Sequence, residues 1–315
     1  MKKTLILVTL LFLSIKINAQ VGIGTTNPDS NAVLDIVSTN KGLLPPRVAN
    51  VAAIATPVAG LMIYDESKQC MRYYNGTIWS DCMGGITPAF TCGDAMTDID
   101  GNTYPTVLID SKCWMAEDLK VSRYPNGDAI PYIDNNATWG TLADNNTDDA
   151  YSFYGDSNND GNVDIAYPDY GALYSYSAAI ADNWARDNST TNVEGGQGIC
   201  PDGWHLPTDA EWTTLTTFLG GSSVAGGKMK ETGTTHWNSP NTGATNSSGF
   251  TALPNGFRGN GTGAFFDVGN GGYWWSSTEF SSSNTYYRSL SHNNTNAYRS
   301  GYDKSSGFCV RCLRD

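Results

Sequence analysis

Ile199-Cys-Pro-Asp-Gly-Trp-His-Leu-Pro-Thr-Asp-Ala-Glu-Trp212 contains a complete helix start. Thr208 stands as N-cap, Glu211 three residues on as its capping-box partner, and Pro207 closes the extended segment before them. Apolar residues then recur at Trp212, Leu215, Phe218 and Leu219 until Gly220-Gly221 stops the pattern. The run predicts one amphipathic helix over residues 209–219.

Working outward, the pattern predicts a strand near Thr103–Ile109 and short antiparallel strands toward the C-terminus. A second helix is predicted near Ala172–Ala185, after Gly171, with Leu173, Tyr176, Ile180 and Trp184 as its apolar stripe. Two main helices followed by strands imply an α+β domain. Aromatic residues make up 11% of the chain and charged residues only 16%. Such a composition fits a loop-rich, β-containing fold rather than disorder, because Trp and Tyr can build a core. Residues 134–169 change to Asp, Asn and Tyr and read as a long polar insertion, a length that is usually functional or disordered.

Seven blocks follow one another: Asp98-Ile-Asp-Gly-Asn-Thr-Tyr104, Cys113-Trp-Met-Ala-Glu-Asp-Leu119, Tyr170-Gly-Ala-Leu-Tyr174, Cys200-Pro-Asp-Gly-Trp-His-Leu-Pro207, Gly249-Phe-Thr-Ala-Leu-Pro254, Trp274-Trp-Ser-Ser-Thr-Glu279 and Val310-Arg-Cys312. In this order they resemble the Fibrobacter succinogenes major paralogous domain (FISUMP), a surface-protein family related to the C-type-lectin-like fold of the formylglycine-generating enzymes. The resemblance covers residues 92–315 and implies a C-type-lectin-like main domain, taken as 91–315. It implies a fold and no activity, since function in that family is largely unassigned and a fold does not dictate a function. Formylglycine-generating enzymes carry a reactive cysteine pair upstream of their last strand. Here Cys309 and Cys312 fall in what should be that strand itself, so the activity does not carry over.

Ahead of this domain, Met1-Lys-Lys3, an apolar run from Leu5 to Ile15 and Ile17-Asn-Ala-Gln20 have the layout of a secretory signal peptide over 1–19. The apolar stretch is too short for a transmembrane anchor, and the expected location is secreted or cell-surface. Residues 20–90 read as a small β-rich module, with strands at Val33–Val37 and Leu61–Tyr64, a Cys-bounded hairpin, and a linker at Gly84-Gly-Ile-Thr-Pro88. Gly22-Ile-Gly-Thr-Thr26 and Gly42-Leu-Leu-Pro-Pro-Arg47 resemble N-terminal segments of surface and tail-fibre-like proteins of Bacteroidetes. Loss of Lys2, Lys3 and Lys16 with the signal takes the net charge from −12 to −15. That excess repels phosphate backbones and anionic lipid, so nucleic acid is not an expected partner.

All seven cysteines lie beyond residue 19, and an exported chain with an odd count leaves at least one unpaired. Cys70 and Cys82 flank a segment containing Asn75-Gly76, the strongest short hairpin signal; a two-residue turn there sets Tyr74 opposite Thr77 and brings Cys82 one residue beyond the partner of Cys70. Cys309 and Cys312 point to opposite faces of a strand. Val310 shares a face with Cys312, which makes Cys312 the buried one and Cys200 its chosen mate. Cys92 with Cys113 is the remaining local pair. Cys309, where the family more often has serine, is left free.

Asp156-Ser-Asn-Asn-Asp-Gly-Asn-Val-Asp164 places oxygen side chains at Asp156, Asn158, Asp160, Asn162 and Asp164 with Gly161 at the sixth position, the alternation used by EF-hand-like calcium loops. The twelfth position is Tyr167, so the bidentate carboxylate is missing. Calcium is the one cofactor this pattern suggests. His205, His236 and His292 are scattered, and His205 within Gly-Trp-His-Leu-Pro reads as a hydrogen-bonded structural residue. No nucleophile elbow, phosphate loop or dinucleotide fingerprint is present, and the expectation is that the protein is not an enzyme. Trp237, Trp274, Trp275 and Tyr273, near Asn238, Arg258 and Glu279, have the mixture of flat apolar faces and directional polar groups that grips sugars or peptides, with core packing as the competing role. The sequence therefore reads as an exported, adhesive or ligand-binding surface protein facing a glycan or protein ligand. The alternatives are a fibre-like appendage component joined through residues 21–90, and an enzyme whose site is assembled from distant residues.

Overall fold

The computed structural model describes residues 20–80, 82–83, 90–181 and 194–315; the expected signal peptide, the linker and Trp184 lie outside them. The chain divides into two compact units, Met1–Ala89 and Phe90–Asp315.

In the first unit, β1 (Val21–Ile23) and β2 (Leu34–Ile36) form a parallel pair. β3 (Arg47–Val48) lies parallel to β4 (Met62–Asp65), which pairs antiparallel with β5 (Cys70–Tyr73). The turn after β5 is longer than the expected two residues, because Tyr74 bridges Trp79. Asn75 Oδ1 accepts from the backbone N–H of Thr77 and of Ile78, both at 2.8 Å, and this side-chain turn draws four residues into the loop. The Cys70–Cys82 disulfide forms across the shifted register.

The second unit begins with β6 (Met96–Thr97) and β7 (Thr103–Tyr104), folded around Asp98, whose carboxylate accepts from Asp100 N, Asn102 N and Tyr104 Oη at 2.7–3.0 Å. Pro105, which has no N–H to give a ladder, separates β7 from β8 (Thr106–Ile109), dividing the strand expected at 103–109; β9 (Lys112–Met115) completes a hairpin with β8. Next come α1 (Asn136–Trp139), β10 (Tyr151–Ser152), β11 (Leu173–Tyr174), α2 (Tyr176–Ile180) and β12 (Trp204–His205). They are followed by α3 (Asp209–Phe218), α4 (Ser222–Met229), β13 (Asn255–Arg258), β14 (Phe265–Val268), β15 (Gly271–Glu279), β16 (Asn284–Ser291), β17 (Ala297–Asp303) and β18 (Leu313–Arg314). The two larger sheets run β12-β18-β9-β8 and β14-β13-β15-β16-β17. Helices and strands in several small sheets are compatible with the α+β class. Among the described residues, no helix is long and apolar enough to cross a membrane.

α3 forms as predicted: Thr208 Oγ1 accepts from Glu211 N, the Glu211 carboxylate accepts from Thr208 N, and Gly220 and Gly221 end the helix at φ +102° and +96°. The helix expected over 172–185 is shorter. Leu173 belongs to β11, Ser175 caps α2 by accepting from Ala178 N, and Ala181 is left-handed at φ 54°. α4 is unannounced in the sequence, because Gly226 and Gly227 carry low helix propensity. A Cβ at these glycines would stand 2.3 Å from Asn296 O and 2.5 Å from Gly243 O, so their bareness lets two loops close on the helix. The polar insertion expected over 134–169 is only partly a loop: Trp139, Ala150, Tyr151 and Phe153 are buried, while 157–169 is exposed throughout.

The unit has two apolar clusters, and the last strands pass between them. Phe308, Val310, Cys312 and Trp275 join the cluster of Tyr104, Tyr174 and Trp204; Cys309, Leu313 and Trp274 join that of Trp114, Trp212 and Phe250. Alternation along an extended segment therefore does set Cys309 and Cys312 on opposite faces, but both faces are covered and both residues are fully buried. Disulfides Cys92–Cys113 and Cys200–Cys312 form as expected, and Cys309 is free.

Buried Asp118 ties the two faces together. Its Oδ1 accepts from Arg311 Nε and from Trp274 Nε1 at 2.7 Å, and its Oδ2 from Asn255 Nδ2 at 2.9 Å. The Arg311 guanidinium, with no exposed surface, lies 4.3 Å over the Phe250 ring and also donates to the carbonyls of Phe250 and Thr251. Four of the seven sequence blocks, those holding Asp118, Phe250, Trp274 and Arg311, meet at this one point.

Candidate functional site

The three indoles expected at a binding surface are core residues. Trp237, Trp274 and Trp275 are at most 1% exposed, and their N–H groups donate to Ala252 O, Asp118 and Tyr174 O. A buried indole needs such a partner, and once paired inside it offers nothing to a ligand. Arg258 is likewise buried, its guanidinium between the rings of Trp139 and Phe265 at 4.5 and 4.7 Å and hydrogen-bonded to Gly263 O, Ile133 O and Asn136. Glu279 is exposed but paired with Lys304 Nζ at 2.6 Å. Of the expected set Tyr273 lines a surface cleft, and exposed Asn238 reaches its rim through a hydrogen bond to Asn270.

The loop 156–164 is closed on itself. Asp156 is buried; its Oδ2 accepts from Tyr132 Oη and Asp164 N, while its Oδ1 is buried without a hydrogen-bond partner. Burial, reinforced by the carboxylates of Asp164 and Asp160, pushes the Asp156 carboxyl up. Asn158 Nδ2 donates to Asp164 Oδ2 at 2.7 Å, and Asp134 accepts from Gly161 N at 2.7 Å. Among the described residues no group of three or more His, Cys, Asp or Glu side chains is placed to hold a metal. In this conformation the oxygens of Asp156, Asn158, Asp160, Asn162 and Asp164 do not make a ready cage.

His205 has a structural position. Its Nε2 faces the Glu211 carboxylate at 3.1 Å and its Nδ1 faces Asp315 at 2.6 Å. The hydrogen bond to Glu211, then that to Asp315, raises the His205 pKa above 6.5 against the opposing effect of burial. Burial opposes ionisation of Glu211, yet the bonds from His205 and Thr208 outweigh it and bring its pKa down from 4.5 to about 2. The histidine contribution is complete below pH 6.5 and is lost as pH rises through the raised value; the glutamate contribution is complete above pH 4.5 and is lost as pH falls toward about 2. Both hold together between pH 4.5 and 6.5. Chemical denaturation of wild type and His205→Ala across pH should therefore give a difference of roughly 1.5–3 kcal/mol in that window, shrinking on either side. A difference independent of pH would contradict the charged pairing.

Among the described residues, the clefts that open on the second unit include two larger ones. One, of about 560 Å³ beside α3, α4 and β17, is lined by threonine and serine hydroxyls with Arg288 and Arg299. Both arginines are already bonded to Asp209, at 2.7 and 2.9 Å. The other, of about 400 Å³, opens where β15 and β17 begin and β16 ends, and is lined by Asp267, Asn270, Tyr273, Ser289, His292 and Tyr298, among others. Cross-strand register places Tyr273, Ser289 and Tyr298 in one rank. Tyr273 Oη donates to Asp267 at 2.6 Å, and a Cβ on Gly271 would stand 2.8 Å from the Tyr273 ring, so the bare glycine lets that ring lie along its own strand.

The rim of this second cleft is fixed from below. Asn238 Nδ2 donates to Asn270 Oδ1 at 2.9 Å, and His292 N donates to Asn270 O at 2.9 Å. Buried Lys230 donates through Nζ to Thr242 O, Ser291 O and Asn294 O at 2.9–3.0 Å, joining the loops on either side; burial lowers its pKa to about 8. Asp267, Asn270, Ser289, His292 and Tyr298 carried no motif in the sequence. The signal available was the presence of tyrosines in β15, β16 and β17, readable only once the register of these strands is known.

The model of the Fibrobacter succinogenes major domain matches residues 107–314, and that of a phage tail like trimerisation region matches residues 22–99. No curated protein and no solved structure matches the chain.

Proposed function

The chain belongs to the Fibrobacter succinogenes major domain family, matched over more than half its length, and from that premise we propose an exported, adhesive surface protein in which residues 22–99 join three chains and the second unit, of C-type-lectin-like fold, presents a ligand-binding cleft. Family membership and the trimerisation match fit a surface or structural protein. Three disulfides support an oxidising destination. The role proposed is binding rather than catalysis.

One observation carries the assembly. Of 23 exposed large apolar side chains among the described residues, 13 lie between Val21 and Met83, whereas that unit buries only Ile63 and Cys70 among its apolar residues. The β1–β2 pair exposes Val21, Ile23, Leu34 and Ile36, and an isolated two-stranded ribbon is at best marginally stable in water. Partner copies covering this face supply the missing core. Leu43 and Leu44 are 73% and 71% exposed, and each leucine buried in an assembly stabilises it by about 1.5–3 kcal/mol. The variant Leu43→Asp/Leu44→Asp should run as a monomer on native mass spectrometry where the wild type runs as a trimer. Equal masses for the two would count against this face. The fibre-like alternative uses the same region and predicts an open polymer of growing mass instead of a closed species.

Calcium at the 156–164 loop is proposed as a stabiliser of the exposed segment. The alternating oxygens support it, and binding requires the Asn158 amide to leave Asp164. With no carboxylate at Tyr167, affinity should be weak, about 10⁻⁴–10⁻³ M. Calcium at about 10 mM should raise the melting temperature of the wild type and not of Asp160→Ala; an unchanged temperature and no heat of binding would remove calcium from the account.

A further inference from the structure

We infer that the cleft formed by Tyr273, Ser289, Tyr298, Asp267 and Asn270 binds a neutral glycan, with a single pyranose ring seated over Ser289 between the two tyrosines. This deepens the ligand-binding reading of the second unit and rests on it.

The argument begins with register. Tyr273 pairs with Ser289 on the neighbouring strand, and Ser289 pairs with Tyr298 on the next. Adjacent strands lie about 4.8 Å apart, so the two tyrosine backbones stand about 10 Å from each other with a small side chain between them. Two aromatic residues separated by a short hydroxyl make a slot for a flat, ring-sized group. Tyr298 is 44% exposed. Tyr273 is fixed by its bond to Asp267 and by Phe257, Phe308 and Tyr287 around its ring. A pyranose has an apolar C–H face suited to such a ring and a rim of hydroxyls that needs directional partners.

Those partners are present at one end of the slot. Asp267 offers carboxylate acceptors, while Asn270, pinned by Asn238 through its Oδ1, keeps its amide N–H groups for a ligand. A vicinal diol can donate to the carboxylate and accept from the amide at once, which uses both groups in their fixed states. A cleft of about 400 Å³ lies within the size range of small-molecule sites.

Charge selects among glycans. Asp267 borders the slot, and the chain as a whole carries −12. A sialylated or uronic-acid ligand would bring a carboxylate against that field, with no arginine or lysine lining the cleft to pair it. A neutral sugar meets no such cost.

The test uses the purified full chain on an array of immobilised neutral and sialylated glycans. Wild type should be retained by neutral glycans and not by their sialylated forms. Tyr298→Ala should lose roughly tenfold or more in affinity, because it removes one wall of the slot, with no change in melting temperature. Asp267→Asn is the companion variant: asparagine is accepted at φ +64° and still takes the Tyr273 hydrogen bond, so the fold is kept while the acceptor pair is lost. A several-fold loss is expected. Capture only of sialylated glycans, or of none, overturns the ligand class. Neutral-glycan capture indifferent to both substitutions overturns this cleft while leaving a binding role for the second unit intact. Neither result alters the oligomer measured by mass.

Discussion

Asp118→Ala should lower the unfolding free energy by about 3–5 kcal/mol, the largest effect expected of any single substitution here. The substitution leaves the Arg311 guanidinium without its carboxylate in a site with no exposed surface, and removes the acceptor of Trp274 Nε1 and of Asn255 Nδ2. Loss of one partner of a buried pair costs far more than loss of both, because it strands a charge. The double variant Asp118→Leu/Arg311→Met should therefore be more stable than Asp118→Ala alone. Urea melts of the three proteins decide the matter; a double variant no more stable than Asp118→Ala would mean that the pair is not coupled as its geometry requires.

Removal of the Cys200–Cys312 disulfide, as Cys200→Ser/Cys312→Ser, should cost about 4–5 kcal/mol, the value expected for freeing a loop of this size in the unfolded chain. The two cysteines are 112 residues apart, and both are fully buried. Removal of Cys92–Cys113, which closes only 21 residues, should cost less by about 1.5 kcal/mol. Thermal melts of the two variants should keep that order. The reverse order would mean that native packing around the sulfurs, and not chain entropy, sets the cost.

Much of the fold's interior was legible in the sequence. Thr208 and Glu211 announce α3 because a capping box is local chemistry, and Cys70–Cys82 follows from spacing across a hairpin, whereas Cys200 is a chosen mate for Cys312 and Cys92 with Cys113 is the pair that remains. Four of the seven resemblance blocks share one physical explanation: Asp118, Phe250, Trp274 and Arg311 build a single buried junction. They mark the core, which is why they name a fold and leave the ligand open. Of the two roles open for Trp274 and Trp275, ligand surface and core, burial selects the core for the same reason. Adjacent strand residues point to opposite faces, and here both faces are covered. The two-residue hairpin at Asn75 failed because the asparagine side chain satisfies two backbone N–H groups and lengthens the turn.

The second cleft was hidden for a different reason. Tyr273, Ser289 and Tyr298 come from three strands and meet only through register, and no local spacing encodes that meeting. Composition was equally silent on the first unit. Its apolar residues read as ordinary strand residues, and only their exposure in the folded chain reveals that they lack a core of their own.

Sedimentation equilibrium of the wild-type chain over a wide range of protein concentration tests the central claim most directly. Three copies joined through the apolar first unit predict one species at three times the protomer mass. A mass equal to one protomer throughout that range would contradict the assembly and leave the exposed face between Val21 and Met83 without its proposed cover.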